Sequence, residues 1–460
     1  MIPYRVRKWS VGVLTVFGII AAAAVGTVCA DETEDQHNAQ GMVDEVCRDV
    51  ARLRGLDFKR PVPLKMSSRE ELEKFILGEL DKQWTKDQLA ADERTFKVLG
   101  LLPEEYDLRR ELVALYREQV AGLYRPDTDD MILVKIDWLQ SMTKILLAHE
   151  LTHALQDQHF DLDRLIEEST HSYDRDFTIL SVVEGGATII MQEYMMEGHV
   201  DRWELLKTGL KGLFTTGSVK LFSAPPMIRH MLLSPYFYGT GFVNHFRRDG
   251  WQRINRIYGD FPLSAEQIMH PQKYYPRRDF PQRIDFDLPW QQTLSLLRTK
   301  GTDTTLGEIG VLALVESWGQ LLTDDGLRQS AERVAAGWDG DRLMSWRGPN
   351  RDNFPRIPLL DERPGDGGMI VYWVSTWDTP EDASEMHNAL EKWVSKWRES
   401  ETDKRYFRYV TCGQSEVDGK PGPDVTCVMF RTTAERREFC FDAPYTRTVV
   451  RDVGELTNKK

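Results

Sequence analysis

His149, Glu150 and His153 stand in the spacing H-E-x-x-H inside the stretch ILLAHELTHALQDQHF, Ile145 to Phe160. On an α-helix, residues four apart lie about 40° from each other around the axis and about 6 Å along it, so both imidazoles can reach one ion. Two imidazole nitrogens suit Zn2+, and a carboxylate next to the first is placed to take a proton from a metal-activated water. His149 and His153 are thus candidate metal ligands and Glu150 a candidate general base. Ile145, Leu146, Leu147, Ala148, Leu151, Ala154 and Leu155 make this helix apolar nearly all round, which predicts that it is buried. Two histidines and a glutamate in a dry helix are costly unless they share a partner.

Two residues compete to be the third ligand. His159 lies ten positions after His149, the spacing of metzincins, in which a glycine turns the chain toward a third histidine. Gln156 occupies that glycine's place here. Without the turn the helix continues, and His159 falls roughly 240° round and about 9 Å along from His153, on the wrong side for the same ion. Glu184 is the other candidate. It is the only acid in the stretch SVVEGGAT, Ser181 to Thr188, which leads into an apolar helical run through Met191, Tyr194 and Met195. An isolated carboxylate in such surroundings calls for a cation or a metal beside it. Coming from a separate helix, it can pack across the first. Thr188, one turn on, could hydrogen-bond it.

Together, HELTHALQ and VVEGGAT resemble the gluzincin type of zincin metallopeptidase, and that resemblance implies Glu184 as the third ligand. The gap from His153 to Glu184 is longer than in the best-known gluzincins, so a loop over Asp161 to Tyr173 is expected between them. The chain also carries YGTGF, Tyr238 to Phe242, Gly250-Trp251, and LSAEQIMHPQKY, Leu263 to Tyr274. With these it is similar to a group of large exported, largely uncharacterised bacterial proteins that pair HExxH with E-G-x-A and S-x-E-Q-x-x-H-P segments. The likeness is close from Gly122 to Tyr275 and loose beyond. His270, just before a proline at an expected helix end, is a candidate catalytic residue that donates a hydrogen bond to the tetrahedral intermediate. Tyr238 and Tyr274 are alternatives for that role, and His270 could equally anchor the loop that follows.

The elements that must position these groups are legible in outline. Val43, Val46, Val50 and Leu53 predict an amphipathic helix ended by Gly55, and Val62 to Met66 a short strand. Ser67 with Glu70 predicts a capping box for a helix carrying Leu72, Phe75, Ile76 and Leu80. Further helices are expected over 86–99 and 104–120. Gly122 to Arg125, a turn, and Met131 to Val134 predict a β-hairpin leading into the H-E-x-x-H helix. An edge strand there could pair with an extended peptide substrate.

From about Thr302 the texture changes. Helices over 306–322 and 325–336 are expected, then strands at 369–377, 406–412, 425–430 and 438–441, with an amphipathic helix, 380–397, among them. The expected fold class is α+β: a mainly helical zincin-like metallopeptidase domain over 31–300, and a smaller C-terminal α+β unit over 301–460. The tryptophans of that unit could form either a binding surface or a core.

Composition limits what the site can belong to. The 460 residues with 41% hydrophobic content allow sizeable cores, and a net charge of −13 argues against a nucleic-acid partner. Residues 1–30 read as a signal peptide or membrane anchor: Arg5, Arg7 and Lys8 precede an apolar run to Val28, and Val28-Cys29-Ala30 fits a cleavage site. Export, or membrane association through that segment, is expected. Cys47, Cys412, Cys427 and Cys440 would then meet an oxidising compartment, and a disulfide joining two of the last three is expected. The expected function is an exported zinc endopeptidase acting on peptide or protein substrates. The alternative is a catalytically silent protein that keeps the fold and binds a partner.

Overall fold

The structure is a computed structural model that describes residues 32–83, 85–119, 122–125, 128–134, 140–167, 172–198, 216–287, 299–347, 369–399, 406–417, 420–432 and 447–452. The expected signal segment, Cys440 and the strand expected at 438–441 lie outside these residues. The fold is α+β and mostly helical, with two sheets.

Helix α1 (Glu32–Arg54) buries Val43, Val46 and Val50 completely and ends at Gly55, whose φ of 68° only glycine adopts without strain. Strand β1 (Leu64–Ser67) follows, then α2 (Arg69–Gln83). The cap of α2 sits one residue later than expected: Glu71 N–H donates to Ser68 Oγ at 3.2 Å, and Ser68 N–H to Glu71 Oε2 at 3.0 Å. Ser67 is the last residue of the strand, so Ser68 is the first free to turn. Next come α3 (Lys86–Leu99), α4 (Leu108–Gln119), β2 (Gly122–Arg125) and β3 (Asp130–Val134). The hairpin is formed as expected, with Tyr124 opposite Met131, and β1 adds in parallel to the far side of β3. That leaves β2 at an edge of the three-stranded sheet.

Helix α5 (Gln140–Phe160) carries the H-E-x-x-H residues. Every residue from Ile145 to Gln156 is buried, as its all-round apolar pattern demands. The short α6 (Leu162–Glu167) fills part of the expected loop, and α7 (Tyr173–Met196) packs across α5. Helices α8 (Thr216–Ser223) and α9 (Pro226–Arg247) follow, and α9 crosses α7 backbone to backbone. A Cβ on Gly185 would collide with the Gly239 carbonyl, and a Cβ on Gly239 with the Ser181 carbonyl. These two glycines are what let α7 lie between α5 and α9. Gly239→Ala should therefore push the helices apart, at a cost of about 1–3 kcal/mol or more for overpacking against rigid backbone. A fall of several degrees in melting temperature is the expected readout; an unchanged one would show that the crossing yields freely.

Three short helices, α10 (Trp251–Ile257), α11 (Ala265–Met269) and α12 (Pro271–Tyr274), precede β4 (Gln282–Asp287) and β5 (Thr299–Thr304). Then come α13 (Gly307–Leu321), α14 (Asp325–Gln329), α15 (Ala331–Ala335), β6 (Trp338–Arg347), β7 (Met369–Trp377), α16 (Pro380–Glu399), β8 (Tyr406–Val417), β9 (Lys420–Thr432) and β10 (Arg447–Asp452). The single helix expected over 325–336 is broken at Ser330. A seven-stranded sheet has the order β4-β10-β8-β9-β7-β6-β5, and α16 packs on it.

The expected boundary near Thr302 does not separate two cores. One apolar cluster runs from Leu72 to Trp393. The Trp318 indole stacks on that of Trp393 at 4.6 Å, and its N–H donates to the Leu99 carbonyl at 2.7 Å. Trp318, Trp338, Trp373, Trp377 and Trp393 are all buried, so these tryptophans are core and not a binding surface. Asp341 ties the sheet to the start of α13: it accepts from the Trp338 and Trp373 indoles, each at 3.0 Å, and from Leu306 and Gly307 N–H. Helix α13 in turn packs on α7 and α9.

In the hairpin of β8 and β9, register aligns Cys427 with Thr411 and Cys412 with Thr426. The two cysteines are therefore one step out of alignment rather than directly opposed.

Candidate metal centre

Helix α5 projects His149 and His153 from successive turns, and α7 brings Glu184 against them. Nε2 of His149 and Nε2 of His153 lie 3.1 Å apart; Glu184 Oε2 is 3.1 Å from the first and 3.6 Å from the second. Four ligands held tetrahedrally at zinc's usual bond lengths are about 3.3–3.5 Å from one another. The two nitrogens and one oxygen therefore already form three corners of such a set, and could hold a zinc ion. All three side chains are at most 1% exposed. His149 Nδ1, Glu184 Oε1 and Glu150 Oε1 have no hydrogen-bond partner among the described residues. A buried polar cluster left this incomplete costs free energy that a shared cation would offset.

The electrostatics point the same way. Burial pushes the Glu184 carboxyl up, but the charge on His153 and the hydrogen bonds of both imidazoles outweigh it and hold the group down at about 2. Burial also acts to lower His153, yet Glu184 beside it leaves that imidazole raised, while burial leaves His149 lowered. One positive charge is thus held among these groups even as a proton. Glu150 is different: burial raises it to about 8, against the pull of His153. Its Oε2 accepts from the Tyr124 N–H of β2 at 3.0 Å, which fixes this carboxylate beside the sheet edge.

His159 is not in the cluster. Its Nε2 donates to the Asp57 carbonyl at 2.8 Å, on another side of α5. His270 is not brought there either: its Nε2 lies 2.8 Å from Glu308 Oε1. That pairing raises the His270 imidazole, and with Lys273 and Glu266 it ties α11 to α13. Tyr274 donates to the Asp260 carbonyl, and Tyr238 packs edge-on against Phe177. Thr188 Oγ does not make the hydrogen bond to Glu184 that its spacing suggested, and has no partner among the described residues.

Two residues that sequence reasoning passed over stand beside the candidate ligands instead. Tyr236, from α9, lies nearly parallel to the His149 ring, 6.1 Å between centroids. Nothing in YFYGTG marks Tyr236 above Tyr238; the α7–α9 crossing decides it. Gln156, which stands where a metzincin turn would need glycine, accepts from His153 Nδ1 through Oε1 at 3.0 Å and donates through Nε2 to the Val183 carbonyl at 2.9 Å. It thereby leaves His153 Nε2 for the cluster and ties α5 to α7 beside Glu184. Gly186 leaves room for that amide, since a Cβ there would meet Nε2. Gln156→Ala should weaken zinc binding about 10–100-fold, the usual cost of losing a partner that orients a ligand. Competition with a chromogenic chelator measures this, and unchanged affinity would remove Gln156 from the site.

A family model for a domain of unknown function, DUF8575, matches residues 294–438. It spans most of the C-terminal sheet and does not reach α5 or α7. No curated protein and no solved structure matches the chain.

Proposed function

We propose that the protein is an exported zinc-dependent endopeptidase of gluzincin type, with a zincin-like domain built around α5 and α7. The convergence of His149, His153 and Glu184 from two helices, with Glu150 fixed beside them, carries this reading. When bound, zinc would act as a Lewis acid on the scissile carbonyl and make water more acidic. His149, His153 and Glu184 would hold the ion. Glu150 takes a proton from the attacking water and delivers it to the leaving amine, and the Tyr124 N–H holds its carboxylate in place for both transfers. Strand β2 lies at the sheet edge beside α5; its Tyr124 N–H is engaged by Glu150, so an extended peptide would pair with the other backbone groups of that edge. Tyr236, beside His149, takes the hydrogen-bonding role toward the oxyanion that the sequence offered to His270. Tyr236→Phe should then lower kcat by at least about tenfold with KM little changed. A fall confined to KM would place Tyr236 in substrate binding alone.

The test is zinc content and cleavage of a peptide library by the mature chain, before and after chelation. One zinc per chain, and cleavage lost on chelation and restored by zinc, is the expected result. A folded chain that binds zinc and cleaves nothing would favour the partner-binding alternative; one that binds no zinc would sink both.

A further inference from the structure

Arg54, the last residue of α1, is 1% exposed, and none of its three guanidinium nitrogens has a hydrogen-bond partner among the described residues. No carboxylate among the described residues neutralises it. Its guanidinium instead lies over the Trp251 ring, 4.3 Å from the centroid, and 5.9 Å from that of Phe160. A second cation makes matters worse: Arg247 lies over the same indole at 4.8 Å, and its own counter-ion, Glu193, is already engaged. Burial, together with Arg247, lowers the Arg54 guanidinium to about 10, despite the opposing influence of Tyr258. A buried charge of this kind costs several kcal/mol unless something of opposite sign sits beside it.

The surrounding groups are of the right type to complete such a site. Tyr258 is buried and stacks on Phe160 at 4.0 Å between centroids; its hydroxyl makes no hydrogen bond of good geometry among the described residues, with the Gln156 amide its polar neighbour. Trp251 and Tyr258 are seven residues apart, two turns along one face of α10 and its cap, so Arg54 meets both. Aromatic rings flank the guanidinium, and cation–π attraction replaces only part of the lost hydration. Its N–H edges remain for an acceptor.

We propose that Arg54 and the Tyr258 hydroxyl bind one small monovalent anion, of the size of chloride, between α1, α10 and the end of α5. With no carboxylate among the described residues paired to Arg54, the charge is left for a solute to balance. This site is distinct from the metal ligands: Phe160 stands one turn beyond Gln156 on α5, so the anion braces the far end of the helix that carries them. Its occupancy stabilises the fold whether or not the protein is a peptidase.

Thermal unfolding in sodium chloride and in sodium gluconate at equal ionic strength tests the proposal. Chloride should raise the melting temperature by a few degrees, in a saturable way, because a ligand that binds only the folded state stabilises it by mass action. Arg54→Met should abolish the chloride-specific rise. If that variant does not fold, Tyr258→Phe, which removes one oxygen, should shift the rise to higher chloride. Equal melting temperatures of the unaltered chain in the two salts would overturn the proposal, as would an undiminished chloride effect in Tyr258→Phe together with bromide anomalous density found only away from Arg54.

Discussion

Glu150→Gln is expected to keep its zinc and lose roughly 10²–10⁴-fold in the rate of peptide cleavage, the range that a positioned general base contributes. The amide keeps the size of the side chain and can still accept from the Tyr124 N–H, so the fold and the ligands are left in place. What it loses is basicity. The carboxylate must be ionised to accept a proton, so activity should fall as pH drops through its pKa. Burial raises that pKa to about 8, and a dication beside it would bring it down again. If Glu150 is the base we propose, the acid limb of the pH–rate profile follows its titration and should be missing from whatever activity the glutamine variant retains. Metal analysis with single-turnover cleavage checks both halves. A variant with full activity would remove Glu150 from the chemistry.

Glu184→Ala is expected to strip the metal. It deletes one of three donors and the only acid of the three, leaving two buried imidazoles to meet a dication alone. Zinc affinity should fall by well over the 10–100-fold expected for a residue that merely orients a ligand, and cleavage should cease. His159→Ala serves as the control. That histidine bonds the Asp57 carbonyl and lies apart from the cluster, so zinc should stay bound. The acid stability of the metal-free chain carries a second signature. Glu184 is held at about 2, below the ordinary carboxylate value of 4.5, so it contributes stability above about pH 4.5 that is lost as pH falls toward 2. The alanine variant should lack that part of the acid transition. Zinc lost from a folded His159→Ala chain, and retained by Glu184→Ala, would reverse the ligand assignment.

Local order was written plainly in the sequence. The spacing of His149 and His153, and the apolar residues around them, depend only on helical geometry, and α5 is buried all round as they require. The hairpin of β2 and β3 and the glycine stop at Gly55 are equally local, because turn chemistry and φ preference act over a few residues. Glu184 was legible for a related reason: a lone carboxylate in an apolar helix signals a partner even when the partner is not in view. A one-residue error at Ser67 and Ser68 shows the limit, since strand pairing, not the local pattern, fixes where the chain turns.

What only the tertiary structure decided is which helices meet, and along which faces. Tyr236, not His270, lies beside His149 because α7 and α9 cross at Gly185 and Gly239, and no spacing within either helix records that crossing. Gln156 bonds both His153 and the Val183 carbonyl because the two helices touch there. The change of texture at Thr302 looked like a domain boundary, yet Trp318 and Trp393 close over Leu99 in one core. Contacts between residues hundreds of positions apart leave no periodic trace in the chain, and the free energy that selects them comes from non-directional apolar burial, which many arrangements could supply until close packing admits one.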